Sequence, residues 1–295
     1  MTAANNRRGV IAMSVGMASF VLNDSLVKYV SDSLPPSQLI FLRGLLAMLG
    51  LVLLCVYMGT FKNPRSAITA LRDRWVLIRS CLDGLASLVY LTAMFHMPLA
   101  NATAINMTTP LLIALLSGLL LGVRVSLRHW LIIATGFVGV LLVVQPQAEG
   151  FNLWAWVCLG GTLLHALRDI SMRFVPSHIP SLMVTLCTAT TATLMAGVWS
   201  LWQDWATVSM VSWACLGGAA ALLSIGYFLL IQSTRSADLT VVAPFRYVGL
   251  LTAVVMGFVV WGDIPNTMAW CGMVLLVGAG LMMMRSQPVV AANPD

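Results

Sequence analysis

The sequence predicts an all-α membrane protein of ten transmembrane helices, arranged as two inverted five-helix repeats around a central cavity. Three observations predict it. Of the 295 residues, 59% are hydrophobic and only 9% charged, whereas a soluble globular chain carries about a quarter charged residues. The apolar residues gather into ten stretches, each near the ~20 residues that cross roughly 30 Å of hydrocarbon as a helix. Finally, LNDSLVKYVSDSLPP at 22–36 returns as LRDISMRFVPSHIPS at 167–181. Without a gap, the two share Leu22/Leu167, Asp24/Asp169, Lys28/Arg173, Tyr29/Phe174, Val30/Val175 and Pro35/Pro180. An internal repeat in so apolar a chain points to a substrate site between the halves.

The stretches run in order as follows. The first, 9–30, begins within the opening MTAANNRRGVIAMSVG, a start that superficially resembles a signal peptide. Its apolar run is long, however, and no small-residue cleavage site ends it before Asn23-Asp24, so it reads as a retained first helix. The second covers 36–58, and the third, 75–95, carries Arg79 and Asp83 one helical turn apart. The fourth, 99–121, holds the polar run Asn101, Thr103, Asn106, Thr108 and Thr109, followed by the helix-distorting Pro110. The fifth, 127–145, has no acid or base from 129 onward beyond His129 at its rim. The sixth, 152–173, contains His165, Arg168 and Asp169; the seventh and eighth cover 180–201 and 209–231. In the ninth, 237–261, the run A-P-F-R-Y places Pro244 and Arg246 near mid-depth, and the tenth covers 265–284. The connecting loops are short, and the longest, 59–74, has no room for a soluble domain.

Orientation follows from the sixteen Lys and Arg. With the N-terminus cytoplasmic, eleven of them fall on inner segments (Arg7, Arg8, Lys62, Arg65, Arg72, Arg74, Arg124, Arg128, Arg173, Arg235 and Arg285), against Lys28 alone on the outer loops. That positive-inside bias places both termini in the cytoplasm. Five helices per repeat, an odd number, turn the second copy upside down relative to the first. The halves are expected at 1–146 and 147–295. The net charge of +6 is used up in orienting helices, so nothing supports a nucleic-acid partner. The six cysteines all fall within predicted helices without CxxC spacing, which argues for buried free thiols rather than a metal site or disulfide framework.

The repeat extends further. At an offset of 137, Ser87/Ser224, Tyr90/Tyr227, Ala100/Ala237, Asn101/Asp238 and Thr103/Thr240 coincide; at 140, Gly122 and Trp130 fall on Gly262 and Trp270. The helix ending N-D-x-x-x-K, the F-L-R-G run at 41–44, the stretch YLTAMFHMPLANATAINMTTP from Tyr90 to Pro110 and its L-L-G-V-R-V-S-x-x-x-W continuation resemble the EamA-type transporters of the drug/metabolite transporter superfamily. The resemblance covers essentially the whole chain and, within the superfamily, is closest to bacterial amino-acid exporters of the YddG type. It departs after the fourth and ninth helices, where the family's frequent Gly-Glu is here Gly122-Val123 and Gly262-Asp263. The resemblance implies a ten-helix basket in a bacterial inner membrane, with the fifth and tenth helices outside the cavity-lining bundle.

Charges inside the membrane cost ~2.5–3.5 kcal/mol each on insertion scales, so they face a polar cavity or a partner. Asp24, Arg43, Arg79, Asp83, Arg168, Asp169 and Arg246 lie within or at the edges of the spans. Asp24/Lys28 and Asp169/Arg173 have i,i+4 spacing. They are either anchors of helix ends or a pair of gating latches, one at each side of the membrane. Arg246, beside Pro244, is the candidate for receiving a carboxylate, with pairing to Asp83 or Asp24 as the rival. Counting the deep groups, four Arg face three Asp, one positive charge in excess. Asn101 and Asn106 offer hydrogen bonds, although packing between helices uses the same groups. Tyr90, Tyr227, Trp154 and Tyr247 offer an aromatic surface or plain packing. His165, midway along its helix, is either a hydrogen-bonded neutral histidine or a proton carrier. The eighteen methionines suit both a reshaping cavity and ordinary packing.

The function expected is secondary export of small metabolites, foremost amino acids including aromatic or bulky neutral ones, by alternating access between the repeats. The alternative is a multidrug or nucleotide-sugar carrier of the same superfamily. The multidrug version is disfavoured because its four-helix pumps centre on a Glu in the first helix, and residues 10–22 contain no acid. An intramembrane enzyme would need a nucleophile–base set or an HExxH metal motif, and a nucleotide-driven pump a Walker A loop; the sequence has none of these. No cofactor is called for. The partners expected are the substrate and membrane lipid, with the protein a monomer or weak homodimer.

Overall fold

The structure, a computed structural model, describes residues 3–60, 72–120, 126–144, 153–176, 178–236 and 242–285. Within them the chain is helical and strand-free. The first half contains α1 (Ala3–Val30), α2 (Pro36–Tyr57), α3 (Arg74–Phe95), α4 (Leu99–Asn106), α5 (Thr109–Leu120) and α6 (Leu127–Val144). The second contains α7 (Trp154–Ser171), α8 (Ser181–Ser200), α9 (Met210–Ser236), α10 (Val248–Met256) and α11 (Thr267–Arg285). Parts of the predicted loops 59–74, 122–128 and 145–152, with Lys62, Arg65, Gly122, Val123, Arg124, Asp238 and Thr240, lie outside the described residues.

Among the described residues, seven helical segments are long and apolar enough to cross a membrane, and Phe245–Trp261 and Thr267–Met283 are shorter apolar helices. Trp154–Ser171 is absent from both groups, because His165, Arg168 and Asp169 lower its apolarity. Sequence signals fix the ends. Pro35, Pro98 and Pro180 stand immediately before α2, α4 and α8, where a fixed φ favours helix entry. Asp73 caps α3 by accepting from the backbone N–H groups of Trp75 and Val76 at 2.9 and 3.0 Å, satisfying donors that have no partner within the helix.

The packing respects the repeat. α1 packs on α9 and α10, while α7, the repeat counterpart of α1, packs on α3 and on α4 and α5. α2 meets α8, and α6 meets α11; exchanging the halves maps this set of pairs onto itself. Two of the crossings depend on glycine. A Cβ at Gly161 in α7 would stand 2.9 Å from the Tyr90 backbone nitrogen in α3. One at Gly272 in α11 would stand 2.5 Å from the Gly139 carbonyl in α6.

Ring contacts fix relative direction. Trp154 at the start of α7 stacks on His96 just past the end of α3, with centroids 4.0 Å apart. Phe174 beyond the end of α7 stacks on Trp75 at the start of α3, 4.5 Å apart. α7 is therefore antiparallel to α3. Lys28, at the end of α1, donates to the Met97 carbonyl beside His96, so the Lys28 and Arg173 ends lie at opposite ends of the molecule. The Lys28 end is also tied by Gln38, whose amide exchanges hydrogen bonds of 2.8 and 2.9 Å with the Ala206 backbone, and by Ser37 donating to Gln203 at 2.6 Å.

Candidate functional site

A cavity of about 560 Å³ lies among α1, α2, α3, the α4–α5 pair, α7, α8, α9 and the segment leading into α10. Two of the spans that border it are interrupted. Between α4 and α5, Met107 and Thr108 leave the α-helix. Pro110 has no N–H for the Asn106 carbonyl, and the Thr109 hydroxyl donates there instead at 2.6 Å. The Thr108 hydroxyl likewise donates to Ile105 O at 2.7 Å. In the second half, Ala243–Tyr247 forms a 3₁₀ turn opening on Pro244 and leading into α10. At the offsets of 137 and 140 that relate these spans, Arg246 falls between Thr109 and Asn106. Asn106, Thr109, Pro110, Arg246 and Tyr247 all line the cavity. Irregular backbone at membrane depth is tolerated where it borders such a space, and interruptions at corresponding positions of two halves mark a binding site.

Six charged side chains reach the cavity: Asp24, Arg43, Asp83, Arg168, Asp169 and Arg246. Arg168 pairs with the Asp83 carboxylate and, at 2.9 Å, with Asp169. Arg79 lies just behind, its Nη1 donating to the Thr188 hydroxyl at 2.8 Å. Asp24 accepts from the Asn23 amide at 2.9 Å, and Arg43 acts on it electrostatically. Arg246 is exposed, and no carboxylate oxygen stands within 4.0 Å of it among the described residues. The cavity-facing charges balance; with Arg79 one positive charge is in excess.

Of the residues singled out from sequence, the structure brings Tyr90, Asn106, His165, Tyr227, Arg246 and Tyr247 together around the cavity, with Asp24 and Asp169. His165 Nδ1 donates to the Asn106 amide oxygen at 3.1 Å and its ring lies tilted against Tyr90, centroids 5.8 Å apart. Tyr227 meets Phe20 edge-on at 5.2 Å. Asn101, Trp154, Lys28 and Arg173 are not in the lining. Asn101 precedes Asn106 by five positions, about 140° around the helix, so one face cannot present both; Thr103, three before Asn106, lines the cavity in its place. Trp154 is taken up by its stack on His96.

The i,i+4 pairs expected from sequence are not the pairs that form. No nitrogen of Lys28 lies within 4.0 Å of Asp24, nor of Arg173 within 4.0 Å of Asp169. Lys28 is only 9% exposed, held by the Met97 carbonyl with the Trp261 ring centroid 5.3 Å away. Asp169 turns to its neighbour Arg168 instead, and Arg173 is exposed. Arg79 and Asp83 likewise make no ion pair with one another, since Arg168 reaches Asp83 from across the interface. Sequence reasoning marked Arg43, Asp83 and Arg168 as deep charges without placing them in the site, and passed over Asn23. The signal for Asn23 was present: it occupies the repeat position of Arg168.

A helical bundle with paired interrupted spans around a charged cavity defines a multi-pass membrane transporter. The chain belongs to the EamA-like transporter family, whose model matches residues 7–145 and again 152–285. It is 24% identical over 284 residues to the pseudopaline exporter CntI of Pseudomonas aeruginosa, covering 95% of this chain and 97% of that one. It is 26% identical over 277 residues to a riboflavin transporter of Vibrio cholerae, covering 92% and 90%. An S-adenosylmethionine uptake transporter of Rickettsia bellii is 25% identical over 284 residues, covering 93% and 94%. A solved crystal structure superposes with a TM-score of 0.61 over 91% of this chain and 94% of that one; at 16% identity the likeness is one of fold. The three named relatives are transporters of small molecules by name.

Proposed function

We propose that this protein exports amino acids, including aromatic or bulky neutral ones, across a bacterial inner membrane. In this reading residues 1–146 and 147–295 are inverted repeats with both termini cytoplasmic, and transport proceeds by alternating access between them. The observation that carries the reading is Arg246: an arginine exposed to the cavity, without a carboxylate within 4.0 Å among the described residues, in a Pro-interrupted span. A cation at that depth calls for an anionic partner, and a substrate carboxylate supplies it. Tyr90, Tyr227 and Tyr247 supply faces for an apolar side chain, with Asn106 and His165 as polar contacts and Lys28 and Arg173 as gating residues outside the site.

A second reading is favoured by cavity size. About 560 Å³ falls in the range of pockets for drug-sized ligands, and it supports metabolites larger than one amino acid, the size class of the molecules named for the relatives. Uptake of a radiolabelled panel into proteoliposomes separates the two. Arg246→Ala should lower uptake of every carboxylate-bearing substrate at least ~10-fold, the loss of one charged hydrogen bond, in a variant that purifies as a monodisperse protein. Wild-type uptake by that variant would overturn the role of Arg246.

A further inference from the structure

The cavity holds three carboxylates and treats them differently. Asp83 and Asp169 both form ion pairs with Arg168. Asp24 is partly exposed and lines the cavity, and no Lys or Arg nitrogen stands within 4.0 Å of it among the described residues. Among the described residues its one hydrogen-bond partner is the Asn23 amide. The repeat explains the difference. Where the second half has Arg168 immediately before Asp169, the first half has Asn23 immediately before Asp24. An arginine there would satisfy the neighbouring carboxylate as Arg168 does; an asparagine donates a hydrogen bond but no charge. Lys28, the remaining cation on the same face, is committed to Met97 and Trp261. Arg43 acts on Asp24 from beyond ion-pair distance and does not close the site.

Asn23 adds a second, independent sign. It is 1% exposed, lines the cavity, and its amide oxygen is buried without a hydrogen-bond partner. Buried acceptors are nearly always satisfied, and one left open beside an unpaired carboxylate is suited to a cationic N–H donor. We propose that Asp24, supported by the Asn23 amide oxygen, is the binding site for the substrate's ammonium group. Arg246 takes the carboxylate, so the substrate completes two of the three cavity-facing charges that have no ion pair among the described residues, Arg43 being the third. The site accepts primary ammonium groups: the carboxylate takes one N–H donor and the amide oxygen another. This inference rests on the amino-acid reading above only for the carboxylate half; the ammonium half stands on Asn23 and Asp24 alone.

Equilibrium binding to the full-length protein in nanodiscs tests it with three probes of one skeleton: phenylalanine, 3-phenylpropionate, which lacks the amine, and phenethylamine, which lacks the carboxylate. Wild type should bind phenylalanine at least ~10-fold more tightly than 3-phenylpropionate. Asp24→Asn should weaken phenylalanine and phenethylamine at least ~10-fold and leave 3-phenylpropionate within about twofold, because the isosteric amide keeps shape but removes charge. Asp24→Glu, which restores the charge, should recover most of the phenethylamine binding and covers the case of a poorly folding amide variant. If phenethylamine binds through Asp24 while phenylalanine and 3-phenylpropionate do not bind at all, the amino-acid reading fails and the ammonium site survives. Equal weakening of all three probes by Asp24→Asn, no weakening of any, or no binding of either amine-bearing probe to wild type would overturn the proposal.

Discussion

Segments 22–30 and 167–175 carry a carboxylate and a cation at the same spacing in the two halves, and the fold uses them in opposite ways. In the first, the cation Lys28 is buried and engaged while the carboxylate Asp24 has no ion pair among the described residues. In the second, the carboxylate Asp169 is paired while the cation Arg173 is exposed. The residue preceding each carboxylate, Asn23 or Arg168, makes the difference. A repeat thus preserves positions without preserving partners. One end is also tied through Lys28 and the opposite end, at Arg173, is not tied in the same way, the asymmetry that the proposed alternating access asks of any single state.

The comparison is most severely tested at Arg168. Replacing it by leucine leaves Asp83 and Asp169 without their cation, and breaking a buried pair from one side costs about 3–5 kcal/mol. Arg168→Leu should therefore lower the thermal unfolding midpoint sharply, read by fluorescence-detected gel filtration, whereas Asn23→Leu should move it far less. Equal shifts would show that the two positions do equivalent work.

Next in size is the cation at each end. Lys28→Met removes a charged hydrogen bond to a buried carbonyl, worth about 1.5–3 kcal/mol, and should raise the population opened at that end more than ~10-fold. Spin labels at Ser33 and Pro98 straddle the contact and should report a longer distance. Arg173→Met should leave that distance distribution unchanged. A response to Arg173→Met and none to Lys28→Met would reverse the assignment of the two ends.

The smallest effect concerns the interrupted spans. Thr109→Val removes the hydroxyl that satisfies the Asn106 carbonyl and should cost about 1 kcal/mol, seen as a few-fold loss of transport with little change in expression. No loss in initial uptake rates would mean that solvent in the cavity serves that carbonyl equally well.

Much of this was legible in the sequence, and what was not has a physical pattern. The helix boundaries follow from apolar run length and from Pro35, Pro98 and Pro180, all local signals. Pro110 and Pro244 marked both interruptions because a missing N–H is a property of the residue itself. Partner choice was not legible. The i,i+4 rule ranks neighbours on one helix, yet Asp83 takes Arg168, which is 85 positions away, and Lys28 takes a carbonyl 69 positions away. In a low-dielectric interior the partner that completes a charge is set by which helices cross. The face of α4 that lines the cavity was misjudged for the same reason: polarity named Asn101 and Asn106 alike, and only the crossing with α7 selects Asn106.

The low apolarity of Trp154–Ser171 has a consequence for biogenesis. A nascent helix bearing both Arg168 and Asp169 near its C-terminal end meets a penalty for each charge when it partitions alone, up to the about 2.5–3.5 kcal/mol of a helix centre. Asp83, the carboxylate that receives Arg168, belongs to α3 and leaves the ribosome 85 residues earlier. The first half is thus already in the bilayer when the reluctant helix emerges, and it presents a membrane-embedded counter-charge for that helix to dock against. Order of synthesis, as well as hydrophobicity, helps to bring the most polar span into lipid.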